Sequence, residues 1–368
     1  MKGLRYSFWH LACNFPNVLS SRKELGIVFN TEPIECKRKL VSVVVPMKDT
    51  AEYVKESLDS LKRQTHSNFE AIVVDDGSVD GSSSIAEQYA KSDNRFTYVR
   101  LDQSHGVSHA RNVGLRHVHG DIICFMDSDD KFKPQAFEKI SRMFKKNNPN
   151  VLVFGADIVG VKQPPKWMVR SLSPRDNVTY YGAGNADLMF KEATRQFSWR
   201  VAINRRAFDE YRVKYDEDLA VGEDLLFLFE LYLKSTKTML SADKLYEYRA
   251  YRTGSAMDVN LDQSCKEAQD HVLILSKVFD LFSRLRKESM TCELMKALMP
   301  WTDKFVLQKV IDLDDAVTRR RLLERLSELY DDFNDNIRLD LRGRMNCPTV
   351  GSLPYQYAIR CRELAERC

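Results

Sequence analysis

The chain has 368 residues, of which 43% are hydrophobic, enough to bury the core of one large α/β domain with an appendage. The formal net charge of +4, from 56 basic and 52 acidic residues, excludes a protein that binds nucleic acid through its overall charge, so any anion site must be local. Eight scattered cysteines without a C-x-x-C pair argue against a disulfide framework and a zinc site, and no apolar run reaches the roughly 18 residues of a membrane span. With an N-terminus that lacks a signal-peptide pattern, these features predict a cytoplasmic protein.

Residues 1–39 are mixed in character, end in the basic CKRK and are predicted to form an N-terminal extension. From Leu40 onwards, short β-branched runs alternate with segments whose apolar residues have helical spacing. The predicted strands are LVSVVVP, FEAIVVDDG, FTYVRL and GDIICFMDSDD, and the predicted helices between them are AEYVKESLDSLKRQ, SVDGSSSIAEQYAKS and GVSHARNVGLRHV. This alternation predicts an α/β fold with a Rossmann-like, mostly parallel sheet flanked by helices, in which ligands bind beyond the carboxyl ends of the strands.

The second half of the α/β domain is less regular in sequence. A helix after Pro134 leads into the strand VLVFGADIV, and residues 162–182, rich in Pro, Lys and Arg, are predicted to be a loop. The later segments are a short strand or loop with a helix in FSWRVAINRRAFDEY, a helix in GEDLLFLFELYLKS, and a late strand with a basic loop in KTMLSADKLYEYRAYRTGSA. The domain is therefore predicted to span residues 40–258.

Residues 259–368 are predicted to form a C-terminal α-helical subdomain, because AQDHVLILSKVFDLFSRLRK and AVTRRRLLERLSELYDDF are amphipathic. Three roles stay open for these helices: a bundle that makes a homo-oligomer, docking of an acceptor or partner, and attachment to a membrane surface. The basic TRRRLLERL suits an anionic lipid surface. The acidic DLDDA and YDDFND around it favour a packed helical subdomain.

Four motifs stand in order along the α/β domain: VSVVVPMKD at 41–49, VVDDGSVDGS at 73–82, MDSDD at 126–130 and GEDLLF at 222–227. A fifth segment, GVSHARNVGL at 106–115, precedes the third motif. Together they resemble the family 2 glycosyltransferases with the GT-A fold, which include bacterial enzymes that make capsule, lipopolysaccharide and teichoic-acid glycans. The resemblance covers residues 40 to 257 and implies a catalytic domain. It also implies metal-dependent, inverting transfer of a hexosyl or N-acetylhexosaminyl group from a nucleotide-sugar donor, with UDP favoured, to a glycan or lipid-linked acceptor.

The three carboxylates of MDSDD need a counter-charge if a diphosphate is to bind beside them. A divalent cation supplies it, since hard cations such as Mn²⁺ and Mg²⁺ bind carboxylate and phosphate oxygens together. By resemblance to the family's DxD motif, Asp129 ligates the metal, while Asp127 lies near the nucleotide ribose and in the metal shell. Ser128 is a further candidate for binding the nucleotide sugar. Asp130 either assists or caps the next segment.

The resemblance also assigns residues to the nucleotide. Asp76 accepts a hydrogen bond from a uracil ring or, alternatively, is a turn acid, while Asp75 is structural. Pro46 and Asp49 line the base pocket, although Lys48 and Asp49 stand where many relatives have Tyr-Asn, so a stacking ring is missing. Four residues are candidates for contact with the nucleotide or its diphosphate: Arg111, Arg249, Arg252 and Ser255. The alternative is a salt bridge for Arg111 and solvated surface for the other three.

The GED motif supplies the base. An inverting transfer needs one carboxylate to take the proton of the acceptor hydroxyl as that oxygen attacks the anomeric carbon. By resemblance Asp224 is this base and Glu223 orients it or contacts the acceptor, whereas an acidic pair that stabilises a helix N-terminus is the alternative. Trp199 is either on the acceptor side, as in relatives, or a core tryptophan.

Other classes of protein fit less well. A nucleotidyltransferase would carry a glycine-rich, lysine-bearing loop after the first strand, and a dinucleotide dehydrogenase would carry G-x-G-x-x-G there, but PMKDTAEY has no glycine. A catalytically degenerate scaffold is disfavoured by the acids that remain at 76, 127, 129 and 224. With a lipid-linked acceptor, peripheral contact at the inner face of the membrane is expected.

Overall fold

The computed structural model describes residues 39–192, 194, 197–250, 261–284, 292–341 and 353–368. The predicted N-terminal extension therefore lies outside the described residues, except Lys39. The strands are Val41–Met47 (β1), Phe69–Asp75 (β2), Phe96–Arg100 (β3), Ile122–Phe125 (β4), Lys131–Phe132 (β5), Val151–Val159 (β6), Val178–Tyr181 (β7), Val201–Asn204 (β8) and Lys237–Arg249 (β9).

The helices begin and end as follows: Ala51–Lys62 (α1), Ser82–Ser92 (α2), Val107–Leu115 (α3), Ala136–Asn147 (α4), Lys166–Ser171 (α5), Arg205–Tyr211 (α6), Glu223–Lys234 (α7), Leu261–Arg284 (α8), Cys292–Thr302 (α9), Gln308–Ile311 (α10), Ala316–Leu341 (α11) and Leu353–Glu366 (α12). Short π-helical stretches lie at Asp187–Lys191 and Asp303–Leu307, and a 3₁₀ turn lies at Ser198–Arg200. Of the helices in these ranges, none is both long and apolar enough to cross a bilayer.

The described residues form one nine-stranded sheet with the order β3-β2-β1-β4-β8-β6-β9-β5, and β7 pairs with β9. Strands β3, β2, β1 and β4 are parallel neighbours, as are β6 and β9, whereas β8 runs antiparallel between β4 and β6. The core strands are buried on both faces, which explains their continuous apolar runs. The predicted α/β sheet flanked by helices is confirmed, and the predicted late strand is β9.

Residues 162–182 differ from the predicted loop. The stretch contains α5 and β7, because Pro165 precedes the first helical residue and the β-branched and aromatic VTYY pairs antiparallel with β9. Proline and basic residues make up a third of this stretch and favour a loop prediction. The two short elements are stabilised by packing instead.

The sheet brings the motifs to one edge. The carboxyl ends of β2, β1 and β4, which are neighbours, lead into Asp76, Lys48 and Asp127. Because β8 is antiparallel, its beginning lies at the same edge, directly after the 3₁₀ turn at Ser198–Arg200. Helix α7 begins at Glu223 after Gly222, whose φ of 81° is the left-handed conformation that favours glycine.

The C-terminal helices pack on the α/β domain, and the predicted helical C-terminal region is confirmed as a fold feature. The carboxylate Oδ2 of Asp270 in α8 accepts a hydrogen bond of 3.0 Å from the backbone N of Val221. A Cβ on Gly222 would lie 2.6 Å from Cδ1 of Ile274, so α8 abuts the start of α7. Within the C-terminal region, the rings of Phe279 and Phe333 stack at 3.9 Å. The boundary between residues 258 and 259 stays a prediction.

Candidate active site

The acidic turn after β4 is held from several sides. Asp127 keeps 30% of its side chain exposed, and its backbone N donates to Tyr246 Oη at 3.1 Å. Ser128 is buried, and its Oγ accepts a hydrogen bond of 3.0 Å from Thr50 Oγ1, the residue that precedes α1. Asp129 is partly exposed and Asp130 is buried. The turn therefore presents Asp127 and Asp129 outwards while Asp130 faces inwards.

The electrostatics of this turn favour a cation. Burial raises the pKa of Asp127 to about 6, Arg111 opposes the shift, and the charges of Asp129 and Asp224 add to it. Burial also raises the pKa of Asp130 well above its usual range, and its neighbours Asp129 and Asp127 add to that shift. A positive charge beside this turn would favour the ionised forms of Asp127 and Asp130.

The donor atoms fit a hard divalent ion that is held jointly with a ligand. Within the part of the chain that the structure describes, no three His, Cys, Asp or Glu side chains are arranged to hold a metal by themselves. Carboxylate oxygens are nevertheless the atoms that Mn²⁺ and Mg²⁺ take, and these ions usually keep water or phosphate ligands. The buried Oδ2 of Asp130 has no hydrogen-bond partner, which is consistent with an acidic site that is short of positive charge.

Arg249, predicted to contact the diphosphate, lies at this acidic turn. Its backbone N donates to Asp130 Oδ1 at 2.7 Å and its Nε donates to the carbonyl of Asp129 at 3.1 Å. Its Nη2 donates to Glu56 Oε2 at 2.8 Å, and the guanidinium lies 5.0 Å from the ring centroid of Tyr53. The side chain is engaged with protein partners, and its contact with the diphosphate stays a prediction. Arg252 and Ser255 lie outside the described residues.

Asp224, the predicted base, is fixed by Ser198. Its Oδ1 accepts from Ser198 Oγ at 2.6 Å and from Arg111 Nη1 at 3.1 Å, and its Oδ2 accepts from the Ser198 backbone N at 2.9 Å. A carboxylate has about four acceptor positions, so one on Oδ2 remains for a further hydroxyl. Ser198 was not predicted, because the two residues are 26 apart in sequence and no motif marks the serine.

Arg111 joins the acids of two motifs. Its Nη2 donates to Asp127 Oδ1 at 3.0 Å, and its Nη1 donates to Glu223 Oε1 at 2.9 Å as well as to Asp224. Its side chain is 4% exposed. The sequence left open whether this arginine contacts the nucleotide or forms a salt bridge, and the structure shows the salt bridge, with three carboxylates.

A stack of rings supports this guanidinium. The guanidinium of Arg111 lies 5.0 Å from the ring centroid of Tyr215. The rings of Tyr215 and Phe227 of α7 stack with their centroids 4.1 Å apart. Asn112 holds the backbone of Tyr215 on both sides, with Nδ2 donating to its carbonyl and Oδ1 accepting from its N, each at 2.9 Å. Asn112 stood in the ARN segment, whereas nothing in the sequence marked Tyr215.

Around the predicted base pocket, Asp76 is buried and already occupied. Its Oδ1 accepts from the backbone N of His105 at 2.7 Å, and its Oδ2 accepts from Ser104 Oγ at 2.8 Å and Gly106 N at 2.9 Å. The turn alternative therefore describes this structure, and the uracil contact stays a prediction. Asp49, at φ 47°, accepts from Val79 N at 2.8 Å, while Pro46 is buried within β1.

Of the two alternatives for Trp199, the structure shows the core tryptophan, and a contact with the acceptor stays a prediction. The side chain is 1% exposed, and its ring stacks on Tyr246 at 4.3 Å and on Tyr248 at 5.2 Å. Tyr246 is the residue whose hydroxyl accepts from Asp127 N, so the tryptophan supports the acidic turn from beneath.

Comparison with known proteins finds similarity to sugar transferases. Residues 42–212 match the family described as glycosyl transferase family 2. The uncharacterized glycosyltransferase EpsJ of Bacillus subtilis strain 168 is 31% identical over 221 residues, which are 57% of this chain and 61% of EpsJ. TarS of Staphylococcus aureus strain Mu50, a poly(ribitol-phosphate) β-N-acetylglucosaminyltransferase, is 27% identical over 218 residues, 59% of this chain and 36% of TarS. The chain thus spans about three fifths of EpsJ and less of TarS.

Solved structures share the fold. The crystal structure of S. aureus TarS 1–349 in complex with UDP has a TM-score of 0.64 and 17% identity, and the match covers 89% of this chain and 90% of that one. The mannosyltransferase PcManGT from Pyrobaculum calidifontis, in complex with GDP-Man and Mn²⁺, has a TM-score of 0.50 and 17% identity over 89% of this chain and 87% of that one. At this identity the similarity establishes the architecture alone.

Proposed function

Because residues 42–212 match the model of glycosyl transferase family 2, we propose that the chain transfers a sugar, with inversion, from a nucleoside-diphosphate donor to a hydroxyl of a glycan or lipid-linked acceptor. A UDP-sugar is the favoured donor. The observation that carries the proposal is the bridge through Arg111, which places the carboxylate of Asp127 and that of Asp224 on one guanidinium. The proposed reaction needs an acid at the donor and a second acid at the acceptor hydroxyl, close enough for one pair of substrates to reach both. The bridge through Arg111 holds Asp127 and Asp224 close together.

On the donor side, Asp127 and Asp129 would hold Mn²⁺ or Mg²⁺, which supplies the positive charge that neutralises the diphosphate and stabilises the departing nucleoside diphosphate. The protein places these two acids through Thr50, Ser128 and the hydroxyl of Tyr246. Arg249 lies beside the same acids, and its fork suits phosphate oxygens if it exchanges Glu56 for the donor.

On the acceptor side, Asp224 accepts the proton of the attacking hydroxyl at Oδ2 while the oxygen forms its bond to the anomeric carbon and the sugar–phosphate bond breaks. Ser198 and Arg111 fix the other acceptor positions of this carboxylate, so the base is oriented before the acceptor arrives. Burial raises the pKa of Glu223, the charge of Asp224 adds to the shift and Arg111 opposes it; this acid is suited to orienting the acceptor.

The proposed biological setting rests on the chemistry of the proposed reaction and on the similarity to known proteins. A cell-surface polymer is the proposed product, and it is supported by the match to TarS, whose acceptor is poly(ribitol-phosphate). The proposed location is the cytoplasm, at the inner face of the membrane when the acceptor is lipid-linked.

Calorimetry with UDP and Mn²⁺ tests the two halves of the site. Asp129→Ala should abolish metal-dependent UDP binding, whereas Asp224→Asn should bind UDP normally and fail to turn over. Asp209→Asn, an exposed acid on α6, is the matched control and should change neither. Normal UDP binding by Asp129→Ala, or full turnover in excess chelator, would refute the metal assignment.

A screen of donor hydrolysis across UDP-, GDP- and dTDP-sugars identifies the donor. Release of the nucleoside diphosphate supports the proposal, whereas release of pyrophosphate would indicate a nucleotidyltransferase. Donor binding without any turnover in the unmodified protein, with every candidate acceptor class supplied, would indicate a degenerate scaffold.

A further inference from the structure

The surface of α5 and the loop before it combines exposed apolar and basic side chains. Trp167 is 47% exposed and Val169 is 43% exposed, although both are large and apolar. Lys162, Lys166 and Arg170 are exposed beside them. We call these five residues the α5 surface. Single exposed apolar residues are ordinary, but an exposed tryptophan and valine among three cations form a patch that is both apolar and basic.

The helix orients these side chains to one side. With about 3.6 residues per turn, Lys166 and Arg170 lie on the same face, and Trp167 and Val169 flank them on either side. Met168 lies opposite and is buried against the domain. The short helix therefore presents to solvent a basic stripe with one apolar side chain on each side of it.

The charge of this segment is unbalanced. Residues 161–175 contain four basic residues and no carboxylate. Arg175 pairs with Glu192, whereas Lys162, Lys166 and Arg170 have no carboxylate partner among the described residues. An anionic partner would thus complete this surface without displacing any existing ion pair.

The α5 surface begins at the edge of the sheet that carries the acidic site. Val159, the last residue of β6, pairs with Arg249 of β9. Gly160 follows with φ 87°, and a Cβ there would lie 3.1 Å from the carbonyl of Ala250. The segment that leads to α5 therefore leaves the sheet beside the arginine that contacts Asp129.

We propose that the α5 surface binds an anionic membrane surface, with Trp167 and Val169 entering the headgroup region and the three cations facing lipid phosphates. Tryptophan is favoured at that depth because its ring is apolar and its N–H is polar. A soluble polyanion would pair with the cations but would leave both apolar side chains in water. The binding does not depend on the proposed transfer, but it would bring the site close to a lipid-linked acceptor.

The basic stretch of α11, which the sequence singled out for membrane contact, is less suited. Arg320 pairs with Glu324 at 3.0 Å and Arg325 pairs with Glu328 at 2.9 Å, so carboxylates of the same helix offset these cations. Val317 is 79% exposed there, and it offers a matched apolar control.

Co-sedimentation of the full chain with vesicles tests the proposal. Vesicles of equal parts phosphatidylglycerol and phosphatidylcholine should bind the protein, and vesicles of phosphatidylcholine alone should bind it far more weakly. The triple variant Lys162→Gln, Lys166→Gln, Arg170→Gln should weaken binding on the order of 100-fold, from about fivefold per cation. Trp167→Ala with Val169→Ala should weaken it about tenfold or more.

Variants on α11 and thermal melting serve as controls for the location of binding and for folding. Val317→Ala and the pair Arg320→Gln, Arg321→Gln should leave vesicle binding unchanged, and thermal melting should show all variants folded because every altered side chain is exposed. Binding that is lost in the α11 pair and kept in the α5 triple would overturn the proposal. So would a protein that binds soluble inorganic polyphosphate through the α5 cations but ignores both kinds of vesicle.

Discussion

The guanidinium of Arg111 and the carboxylate of Asp224 lie 3.1 Å apart, although 113 residues separate them in the chain. The same guanidinium contacts Asp127 on its other nitrogen. One buried cation therefore balances an acid of the DSD motif and both acids of the GED motif. Removing one partner from a buried charge cluster is more costly than the net stabilisation of the cluster, since the remaining charges stay buried.

Replacing Arg111 by Met should destabilise the fold by about 3–5 kcal/mol, because three carboxylates lose their counter-charge in a site that excludes most water. Urea denaturation at pH 7 measures this loss. Arg116→Met, at the exposed end of the same helix, should stay within about 0.5 kcal/mol. A loss below about 1 kcal/mol for the Arg111 variant would show that the bridge contributes little.

Ser198→Ala should lower kcat by about 10- to 100-fold, because the 2.6 Å hydrogen bond from its hydroxyl to Asp224 is charge-assisted and orients the base. UDP affinity in the presence of Mn²⁺ should not change, since the side chain of Ser198 bonds to Asp224 and not, among the described residues, to an acid of the DSD turn. Ser235→Ala removes a buried hydroxyl bonded to Thr238 away from the site and serves as control. Equal loss in both variants would mean a general effect on folding.

Asp75→Asn should reveal a pH-dependent contribution to stability. Burial raises the pKa of Asp75, but hydrogen bonds from Ser78, Ser83 and Tyr98 lower it by more, so its pKa lies below the ordinary 3.8. Its ionised form therefore stabilises the fold above about pH 4, and that contribution is lost as the pH falls through the lowered pKa. The variant should be about 1–3 kcal/mol less stable at pH 7, with the difference shrinking towards pH 3.

Urea denaturation at both pH values measures that difference, and Asp187→Asn, an exposed acid with an i,i+4 lysine, is the control. A constant difference across this range would contradict the hydrogen-bonded carboxylate as the cause.

Asp270→Ala should reduce kcat more than UDP affinity. The substitution leaves the backbone N of Val221 without its partner, one residue before Gly222, which precedes α7, and two before Glu223, where α7 begins. A stability loss of about 1–2 kcal/mol should accompany it. Steady-state kinetics and UDP titration separate the two effects, with Asp280→Ala on the exposed side of the same helix as control. Unchanged kcat would show that α8 does not hold the base.

The strand and helix order could be predicted from the sequence because periodicity and turn residues are local. The acids at the ends of β1, β2 and β4 followed from it, since the carboxyl ends of neighbouring parallel strands meet at one edge. The antiparallel β8 could only be named as a strand or loop. Its direction depends on pairing with β4 and β6, which are distant in sequence.

Partners of individual side chains could not be predicted in the same way. Asp76 has the residue type and place of a base-binding acid, yet in the structure it accepts three hydrogen bonds from residues 104–106. Trp199 could be assigned to the core or to the acceptor side until its stacking on Tyr246 was known. In both residues the sequence allows two roles, and contacts with residues distant in the chain determine which role the structure shows.

The contact between Asp270 and Val221, together with Ile274 against Gly222, has a consequence for exchanging parts among relatives. A chimera joined at residue 258 would keep every motif of the α/β domain but would carry a foreign helix beneath the GED turn. Such exchanges should succeed only when the incoming helix brings a carboxylate at position 270 and leaves room at 274. The helices beyond residue 260 are thus expected to be exchanged together with the proposed base, even though they contain none of the motifs.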